Sequence, residues 1–276
     1  MGAQDLSLWI HYICEQSVPV MRNTVQSILA ICSNEKATSK ELADTIIKDP
    51  TFTIRVIRIA NCLYYKRTSA PIMDIRQAVL LIGFDKILAI CLTVSIVDKL
   101  VNNNTLRHIR KLMKCSLQTA LLAKSIAENI GLPHPDDLFI AGLLHDIGEI
   151  AFWSLSGQSG DEIANKLANI PLPDDAAQRE LLGITFKELT IGITTRWRLC
   201  PILRLALIEP NILDPYVQCL IQSHNIALEY GNNNASNIRL HELSKTMKLS
   251  IEDTAALVKE QYIKSLELSE CYLSRP

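Results

Sequence analysis

The apolar residues of this chain recur every three or four positions in almost every long segment, which is the spacing of one face of an α-helix. In KELADTIIKD, Leu42, Ile46 and Ile47 share such a face, and in TFTIRVIRIANCL the same repeat begins with Phe52 and Val56. Long alternating patterns and Asn-Gly hairpin turns, which predict strands, are absent from the sequence. The sequence therefore predicts an all-α protein.

Residue pairs that begin and end helices support this prediction. A serine or threonine followed three residues later by an acidic residue is typical of a capped helix start. Such pairs are Thr38 with Glu41, Ser159 with Glu162, Thr185 with Glu188, and Ser250 with Asp253. The dipeptide Asp49-Pro50 predicts the end of one helix, and Gly83 predicts a turn.

Charge and composition limit the classes of partner. The 276 residues carry a formal net charge of -1, and the basic residues are scattered along the chain. The sequence shows no concentration of positive charge that would attract a phosphate backbone, so we expect no nucleic-acid partner. The chain begins without a basic region before an apolar core, and the charge-free run Ile87–Val97 is too short to span a bilayer. We expect no membrane partner and a cytoplasmic location.

Eight cysteines are spread along the chain without a CxxC pair. Most of them lie within apolar segments, where cysteine behaves as a small buried hydrophobe. Reduced thiols are therefore predicted, as is usual in the cytoplasm.

The run Asn102-Asn103-Asn104 divides the sequence. It predicts an N-terminal helical subdomain over residues 1–104 and a second helical subdomain over residues 105–276, which opens with a helix from about Thr105 to Ile130. The run LLIGFDKILAICLTVSIV would expose a large apolar patch if the halves were separated. We therefore expect the two subdomains to fold as one interdependent unit.

Four phrases, in this order, carry a resemblance to a known family: ELADTIIKDPTFTIRVIRIANCLYY, IRQAVLLIGFDKILAICL, AGLLHDIGEI and ELLGITFKELTIGITTRW. They resemble the HDOD family, an output-type relative of the HD and HD-GYP phosphohydrolases found in bacterial signalling proteins. The resemblance runs from about Val18 to Trp197. It implies an N-terminal helical bundle packed on an HD-like helical bundle.

In catalytic HD proteins the resemblance implies four metal ligands: a histidine from an early helix, an adjacent His-Asp pair, and a later aspartate. The pair is present here as His145 and Asp146, but the position of the early histidine holds Cys115, followed by Ser116. Cysteine binds zinc as a thiolate, and it is also a common core residue. Cys115 is therefore interpreted either as a third ligand or as part of the core.

Three further positions depart from the catalytic pattern. Phe186 stands where a histidine is common, the Glu209-Pro210 segment replaces a frequent His-His pair, and Glu149 replaces a lysine. These changes predict an apolar wall and a repulsive charge beside a phosphate. They argue against metal-assisted hydrolysis, which needs several ligands to hold the cation.

Two interpretations of the pair itself remain open. His145 and Asp146 either form a hydrogen-bonded core pair that fixes a helix end before Gly148, with this glycine as the C-terminal break, or they hold a divalent metal (Mg, Mn or Zn) weakly. His108 lies about 10 Å upstream along the same helix as Cys115, so it is predicted to face solvent rather than to replace the missing ligand.

Asp136 and Asp137 follow two prolines, Pro133 and Pro135. Acidic residues stabilise the first turn of a helix, so both are predicted to begin a helix rather than to bind metal.

The resemblance and the depleted ligand set together predict a non-catalytic signalling or scaffold module that binds a signalling protein or responds to a small ligand. No catalytic residue, cofactor-binding residue or cofactor is expected. The alternative is a metal-dependent phosphohydrolase that acts on nucleotides or cyclic dinucleotides through His145 and Asp146. No pattern in the sequence predicts the oligomeric state.

Overall fold

The computed structural model describes residues 6–15, 22–34, 36–47, 52–53, 56–57, 59–61, 72, 74–97, 103–156, 160–168, 174–196, 200–231 and 237–273. These residues contain helices and turns and no strand, which confirms the all-α prediction. The helices with defined bounds are α1 (Leu6–Glu15), α2 (Arg22–Cys32), α3 (Ser39–Ile46), α4 (Ile75–Ile82), α5 (Phe84–Val97), α6 (Asn103–Asn129), α7 (Pro135–Leu143), α8 (Ile147–Leu155), α9 (Gly160–Ala168), α10 (Asp174–Leu182), α11 (Phe186–Arg196), α12 (Pro201–Ile208), α13 (Pro215–Gly231), α14 (Asn237–Met247) and α15 (Ile251–Leu273).

The chain forms two compact units. The larger unit, called here the HD-like unit, comprises residues 1–16 and 100–265, and the smaller comprises residues 17–99 and 266–276. The sequence placed the division after residue 104 and assigned everything before it to one subdomain. The structure instead groups the first 16 residues with the HD-like unit, because α1 packs on α11 there.

In the smaller unit, α2 packs against α3 and α5, and α4 packs against α3 and α5. Gly83 joins α4 to α5 with φ of +83°, so its predicted turn is confirmed, and only glycine adopts this conformation without strain. The Asn61 amide donates to the carbonyls of Ile57 and Ile72 and accepts from the Ile72 amide, at 2.7–3.0 Å. This amide therefore joins the backbone at Ile72 to the helical segment that contains Asn61. Asp49-Pro50 lies outside the described residues.

Three of the predicted helix starts are confirmed. The hydroxyls of Thr38 and Thr185 each accept from a backbone amide three residues later, while Glu41 and Glu188 each accept from the threonine's own amide. At the third start the Ser250 hydroxyl accepts from the Asp253 amide and donates to its carboxylate. Each arrangement satisfies backbone donors that a helix start leaves without partners. The fourth start, at Ser159, lies outside the described residues.

The HD-like unit is built on the long helix α6, which α7 and α13 contact along its length. The contact with α7 is close enough that a Cβ added to Gly142 would lie 2.5 Å from the Ala120 Cα and 2.6 Å from the Ala120 nitrogen. Glycine at this point therefore lets the two helix backbones touch. Elsewhere in the unit, α8 packs on α11, and α1 lies against α11 with Ile10 opposite Gly192.

One segment, Pro135–Leu155, is long and apolar enough by composition to cross a membrane. In the structure, 72% of the most apolar 18-residue stretch of this segment is buried within the protein. A turn divides the segment into α7 and α8. Burial of this kind is typical of a core segment, so the apolar run is explained by packing inside the unit.

The close approach at Gly142 generates a stability prediction. A Gly142→Ala substitution should destabilise the protein by about 1–3 kcal/mol, because the new methyl group would press on the Ala120 backbone. The destabilisation should appear despite the gain in helix propensity of up to about 1 kcal/mol. The measurement is the midpoint of urea unfolding.

Gly192→Ala is the matched control. It also places a methyl group on a helical glycine, but there the group would meet only the Ile10 side chain, 2.1 Å from its Cδ1 atom, which can rotate away. We expect a clearly smaller loss. Equal losses in the two variants would contradict backbone contact as the cause.

Candidate metal centre

His145 and Asp146 lie in the turn between α7 and α8 rather than inside a helix. The sequence predicted a helix end before Gly148, and α7 does end before this glycine, at Leu143. The predicted role of Gly148 as the break is wrong, because Gly148 is the second residue of α8. Its amide donates to the Thr190 hydroxyl at 3.1 Å, and a Cβ there would lie 2.5 Å from the Phe186 carbonyl oxygen. Gly148 thus allows close packing of α8 on α11.

The Asp146 carboxylate is fully engaged by neighbouring side chains. Its Oδ1 lies 2.8 Å from the Nδ1 of His145, and its Oδ2 accepts from the Ser116 hydroxyl at 2.9 Å. The side chains of His145 and Asp146 are only 14% and 13% exposed. A buried carboxylate is expensive unless hydrogen bonds and charges compensate it, and this pair of contacts supplies the compensation.

His224, on α13, is the third member of the site, and no motif in the sequence predicted it. Its ring stacks on that of His145 with centroids 3.6 Å apart, and its Nε2 lies 4.0 Å from the Asp146 Oδ1. Its Nδ1 lies 3.5 Å from the Thr119 hydroxyl. That hydroxyl donates to the Cys115 carbonyl at 2.8 Å, so it is left to accept from a protonated Nδ1. Such a tautomer carries its lone pair on Nε2, toward Asp146.

The signal for His224 in the sequence is weak. It is a single histidine in the apolar helical segment PYVQCLIQSHNIALEY, a setting in which many histidines are ordinary core residues. The resemblance drew attention instead to Phe186 and to the Glu209-Pro210 segment. Both residues of that segment are exposed beyond the end of α12.

Cys115 belongs to the same cluster. One ligand atom from each of Cys115, Asp146 and His224 lies within 4.8 Å of the others. Burial, with a contribution from the Asp146 charge, raises the pKa of the Cys115 thiol well above its ordinary value. The protein without a metal therefore keeps this group as a neutral thiol, and a cation would have to displace its proton.

The chemistry of the donors limits which metal the cluster fits. Mg²⁺ and Mn²⁺ prefer oxygen ligands, and the cluster contains a single carboxylate. A thiolate, one imidazole and one carboxylate are donors that Zn²⁺ accepts. The residues therefore fit zinc, at the cost of deprotonating Cys115, and do not fit the hard cations.

Phe186 belongs to an aromatic wall, at the position where the resemblance implies a histidine. The ring of Phe186 lies 5.2 Å from that of Phe152 and 5.8 Å from that of Trp153, between centroids. Phe152 in turn lies 5.1 Å from Trp9 on α1. The apolar surface predicted from Phe186 is therefore present, as a cluster of four aromatic rings: Trp9, Phe152, Trp153 and Phe186.

Glu149 and His108 form a pair beside this wall. The Glu149 Oε1 lies 2.9 Å from the His108 Nε2 and accepts from the Trp153 indole at 3.0 Å. His108 is exposed, as predicted, with 46% of its side chain accessible.

The predicted helix start at Asp136 and Asp137 is also confirmed. Both lie in the first turn of α7, where His134 precedes the helix without a side-chain cap, and Asp136 pairs with Lys124 at 2.7 Å. Neither belongs to the group of candidate ligands found among the described residues.

Burial keeps His224 neutral, and it favours the protonated form of Asp146, which the neighbouring groups counteract. Burial, reinforced by His145 and opposed by Asp146, lowers the pKa of His224 from 6.5 to about 4. Burial alone would raise the pKa of Asp146, but His224 and His145, together with the hydrogen bonds from His145 and Ser116, outweigh it and lower that pKa to about 2. At neutral pH the site therefore contains a carboxylate beside a neutral His224.

The depressed pKa of His224 predicts a loss of stability in acid. The unfolded chain binds a proton at His224 below pH 6.5, whereas the folded protein resists it down to about pH 4. Stability from this group is complete above pH 6.5 and is lost as the pH falls, by about 2 kcal/mol between pH 7 and pH 5. The measurement is the free energy of urea unfolding at both pH values.

A His224→Gln variant should lose most of this pH dependence, because the amide does not titrate. His241→Gln, which changes an exposed histidine, should keep the slope of the unsubstituted protein. The same slope in all three proteins would show that His224 is not the group responsible. The contribution of Asp146 appears only below about pH 4.

Comparisons with known proteins agree with this architecture. A crystal structure of an HDOD domain protein of unknown function from Geobacter sulfurreducens matches with a TM-score of 0.64 and 21% identity, over 98% of this chain and all of that one. A protein of Shewanella amazonensis SB2B, provisionally named a phosphohydrolase, matches with a TM-score of 0.68 and 17% identity, over 96% of this chain and 97% of that one. At these identities the likeness concerns the fold.

Among curated proteins, the uncharacterized protein YuxH of Bacillus subtilis (strain 168) is 24% identical over 200 residues, which is 70% of this chain and 46% of YuxH. The chain thus spans less than half the length of that relative. The family model of the HDOD domain matches residues 18–209. Because this match covers more than half of the sequence, the chain belongs to the HDOD domain family.

Proposed function

We propose that this chain is a non-catalytic HDOD module of bacterial cytoplasmic signalling, a scaffold that binds a protein partner or responds to a small ligand. Membership of the HDOD family supports the general role. The observation that carries the non-catalytic part is the state of Asp146, whose two carboxylate oxygens are bonded to His145 and Ser116. In this role the His-Asp pair is a structural element of the core.

The donors around Asp146 support the same proposal. Metal-assisted phosphoryl transfer requires a cation that lowers the pKa of a bound water and neutralises developing charge. Cys115 offers a thiol with a raised pKa where the catalytic pattern has an imidazole, and Phe186 contributes to an aromatic wall. Neither group assists the binding of a hydrated cation or a phosphate.

One observation favours the alternative, a metal-dependent phosphohydrolase acting on nucleotides or cyclic dinucleotides. The candidate ligand atoms of Cys115, Asp146 and His224 lie within 4.8 Å of one another, close enough to share a cation. The hydrogen bond at the His224 Nδ1 would also direct the Nε2 lone pair toward that cation, as is usual for metal-binding histidines. Measurements of hydrolytic activity and of metal binding each distinguish the non-catalytic module from the phosphohydrolase.

We predict that the purified protein does not hydrolyse nucleotides, cyclic dinucleotides or generic phosphate esters in the presence of Mg²⁺, Mn²⁺ or Zn²⁺. Loss of groups that merely support a ligand commonly lowers metal affinity by about 10- to 100-fold, and loss of ligands should lower it further. The measurement is phosphate or product release. A His145→Ala, Asp146→Ala double variant controls for contaminating enzymes, and turnover that vanishes in this variant would refute the proposal.

A Cys115→His variant should also remain inactive. The substitution restores one imidazole, but the aromatic wall at Phe186 and the negative charge of Glu149 are unchanged. Activity gained by this single change would show that the missing ligand alone had silenced an otherwise intact site.

We further predict that Mg²⁺ and Mn²⁺ leave the melting temperature unchanged, and that the protein retains less than one equivalent of Zn²⁺ after gel filtration. The reason is the cost of deprotonating the buried Cys115 thiol beside the Asp146 carboxylate. Elemental analysis measures the retained metal. One equivalent of zinc that is lost in both Cys115→Ser and Asp146→Asn would favour the metal-dependent alternative.

A further inference from the structure

A cavity of about 540 Å³ opens on the HD-like unit beside the first half of α6. Its size lies within the usual range for pockets that bind small molecules. The residues that line it include Arg110, Lys111, Lys114, Gln118, Leu228 and Tyr262. They come from α6, α13 and α15, all within this one unit.

The lining divides into a charged mouth and a buried floor. Arg110, Lys111 and Lys114 are exposed, whereas Cys115 and Gln118 are buried. Of the described residues that line the cavity, none is acidic. Arg110 and Lys114 form no ion pair with any other described residue, so their charges are available to an anion.

Gln118 supplies an independent sign of a ligand. Its side chain is 2% exposed, yet its Nε2 has no hydrogen-bond partner among the described residues. A buried polar atom without a partner lowers the stability of the folded protein, so a position with a purely structural role would be expected to hold an apolar residue. An unpaired amide at the floor of a cavity is a group that a bound molecule would satisfy.

Apolar groups form the remaining wall. Leu112, Leu228 and Tyr262 lie around the cavity, and the ring of Tyr262 packs against that of Tyr230 with centroids 5.4 Å apart. An aromatic ring held in this way offers a flat surface to a planar group. The cavity therefore combines cations, one amide and an apolar surface.

We propose that this cavity binds a small organic phosphate, with the phosphate at Arg110, Lys111 and Lys114, its apolar body against Tyr262 and Leu228, and a polar atom bonded to Gln118. Glu149, whose Oε1 is bonded to His108 and Trp153, is not among the residues that line the cavity. The proposal extends the ligand-responsive part of the proposed function. It also places the ligand next to Cys115, and hence beside the Asp146 cluster.

Calorimetric titration with phenyl phosphate tests the proposal, with inorganic phosphate and benzyl alcohol as partial probes. Phenyl phosphate combines the charge with a planar apolar body, so it should bind at least ten-fold more tightly than either partial probe. Its affinity should fall as salt is added, because exposed charges are screened. Equal affinity for inorganic phosphate would overturn the proposal, since it would indicate diffuse charge attraction.

Variants locate the binding. An Arg110→Gln, Lys114→Gln double variant should bind phenyl phosphate at least ten-fold more weakly. A Lys40→Gln, Lys245→Gln variant, which removes the same charge from exposed residues outside the cavity, should bind it normally. Equal weakening in both double variants would overturn the proposal.

Gln118→Leu separates a ligand-binding role from a structural one. The probe is 4-nitrophenyl phosphate, whose nitro oxygens can accept from the amide, whereas phenyl phosphate has no such acceptor. If the amide serves the ligand, the variant should bind 4-nitrophenyl phosphate several-fold more weakly and phenyl phosphate about as before. Its melting temperature should stay equal or rise, because an unpaired buried polar group has been removed. A lower melting temperature with unchanged affinity would overturn the role of Gln118. Release of phosphate from phenyl phosphate, followed in the same samples, would contradict the non-catalytic function without contradicting the cavity as its binding site.

Discussion

The HD-like unit depends on the compensation of one buried negative charge. Asp146 is removed from solvent, and an ionised carboxylate in that setting needs hydrogen bonds and neighbouring positive or dipolar groups. Ser116 on α6 and His145 in the adjoining turn provide them, and His224 on α13 stacks on His145. Because these groups come from separate elements, α6, α13 and the turn before α8 must hold fixed positions for the carboxylate to remain ionised.

Close contacts between helix backbones allow these side chains to meet at Asp146. Gly142 brings α7 against α6 at Ala120, and Gly148 brings α8 against α11 at Thr190. The residues between these glycines form the turn that presents His145 and Asp146 to α6 and α13. The two glycines therefore set the distances on which the polar cluster depends.

Local features of the fold were predictable from the sequence. Helical period and caps such as Thr38 with Glu41 involve residues within one turn of each other, so their signal is contained in a short segment. The role of Gly148 was mispredicted because a glycine beside a turn is also a common helix end, and only the neighbouring α11 distinguishes the two. The placement of α1 with the HD-like unit likewise depends on a contact made far along the chain, at Gly192.

The candidate site was predictable only in part for the same reason. His145, Asp146 and Cys115 were selected through the phrases that surround them, and the structure brings Cys115 and Asp146 together. His224 was not selected, since its partner Thr119 lies 105 residues away and nothing in its own helix distinguishes it from a core histidine. The unpaired amide of Gln118 has no sequence signal, because the identity of a residue does not reveal whether its hydrogen bonds are made.

The long separations within the cluster also bear on the order of folding. Ser116 and Asp146 are 30 residues apart, and His224 joins them only when α13 docks. Closing such large loops is slow relative to helix formation, so the helices can form before the cluster does. Until α13 arrives, Asp146 is a solvated carboxylate beside an ordinary histidine. Its burial, and the acid sensitivity of His224, would therefore mark the moment at which α13 docks on α6 while the chain is being synthesised.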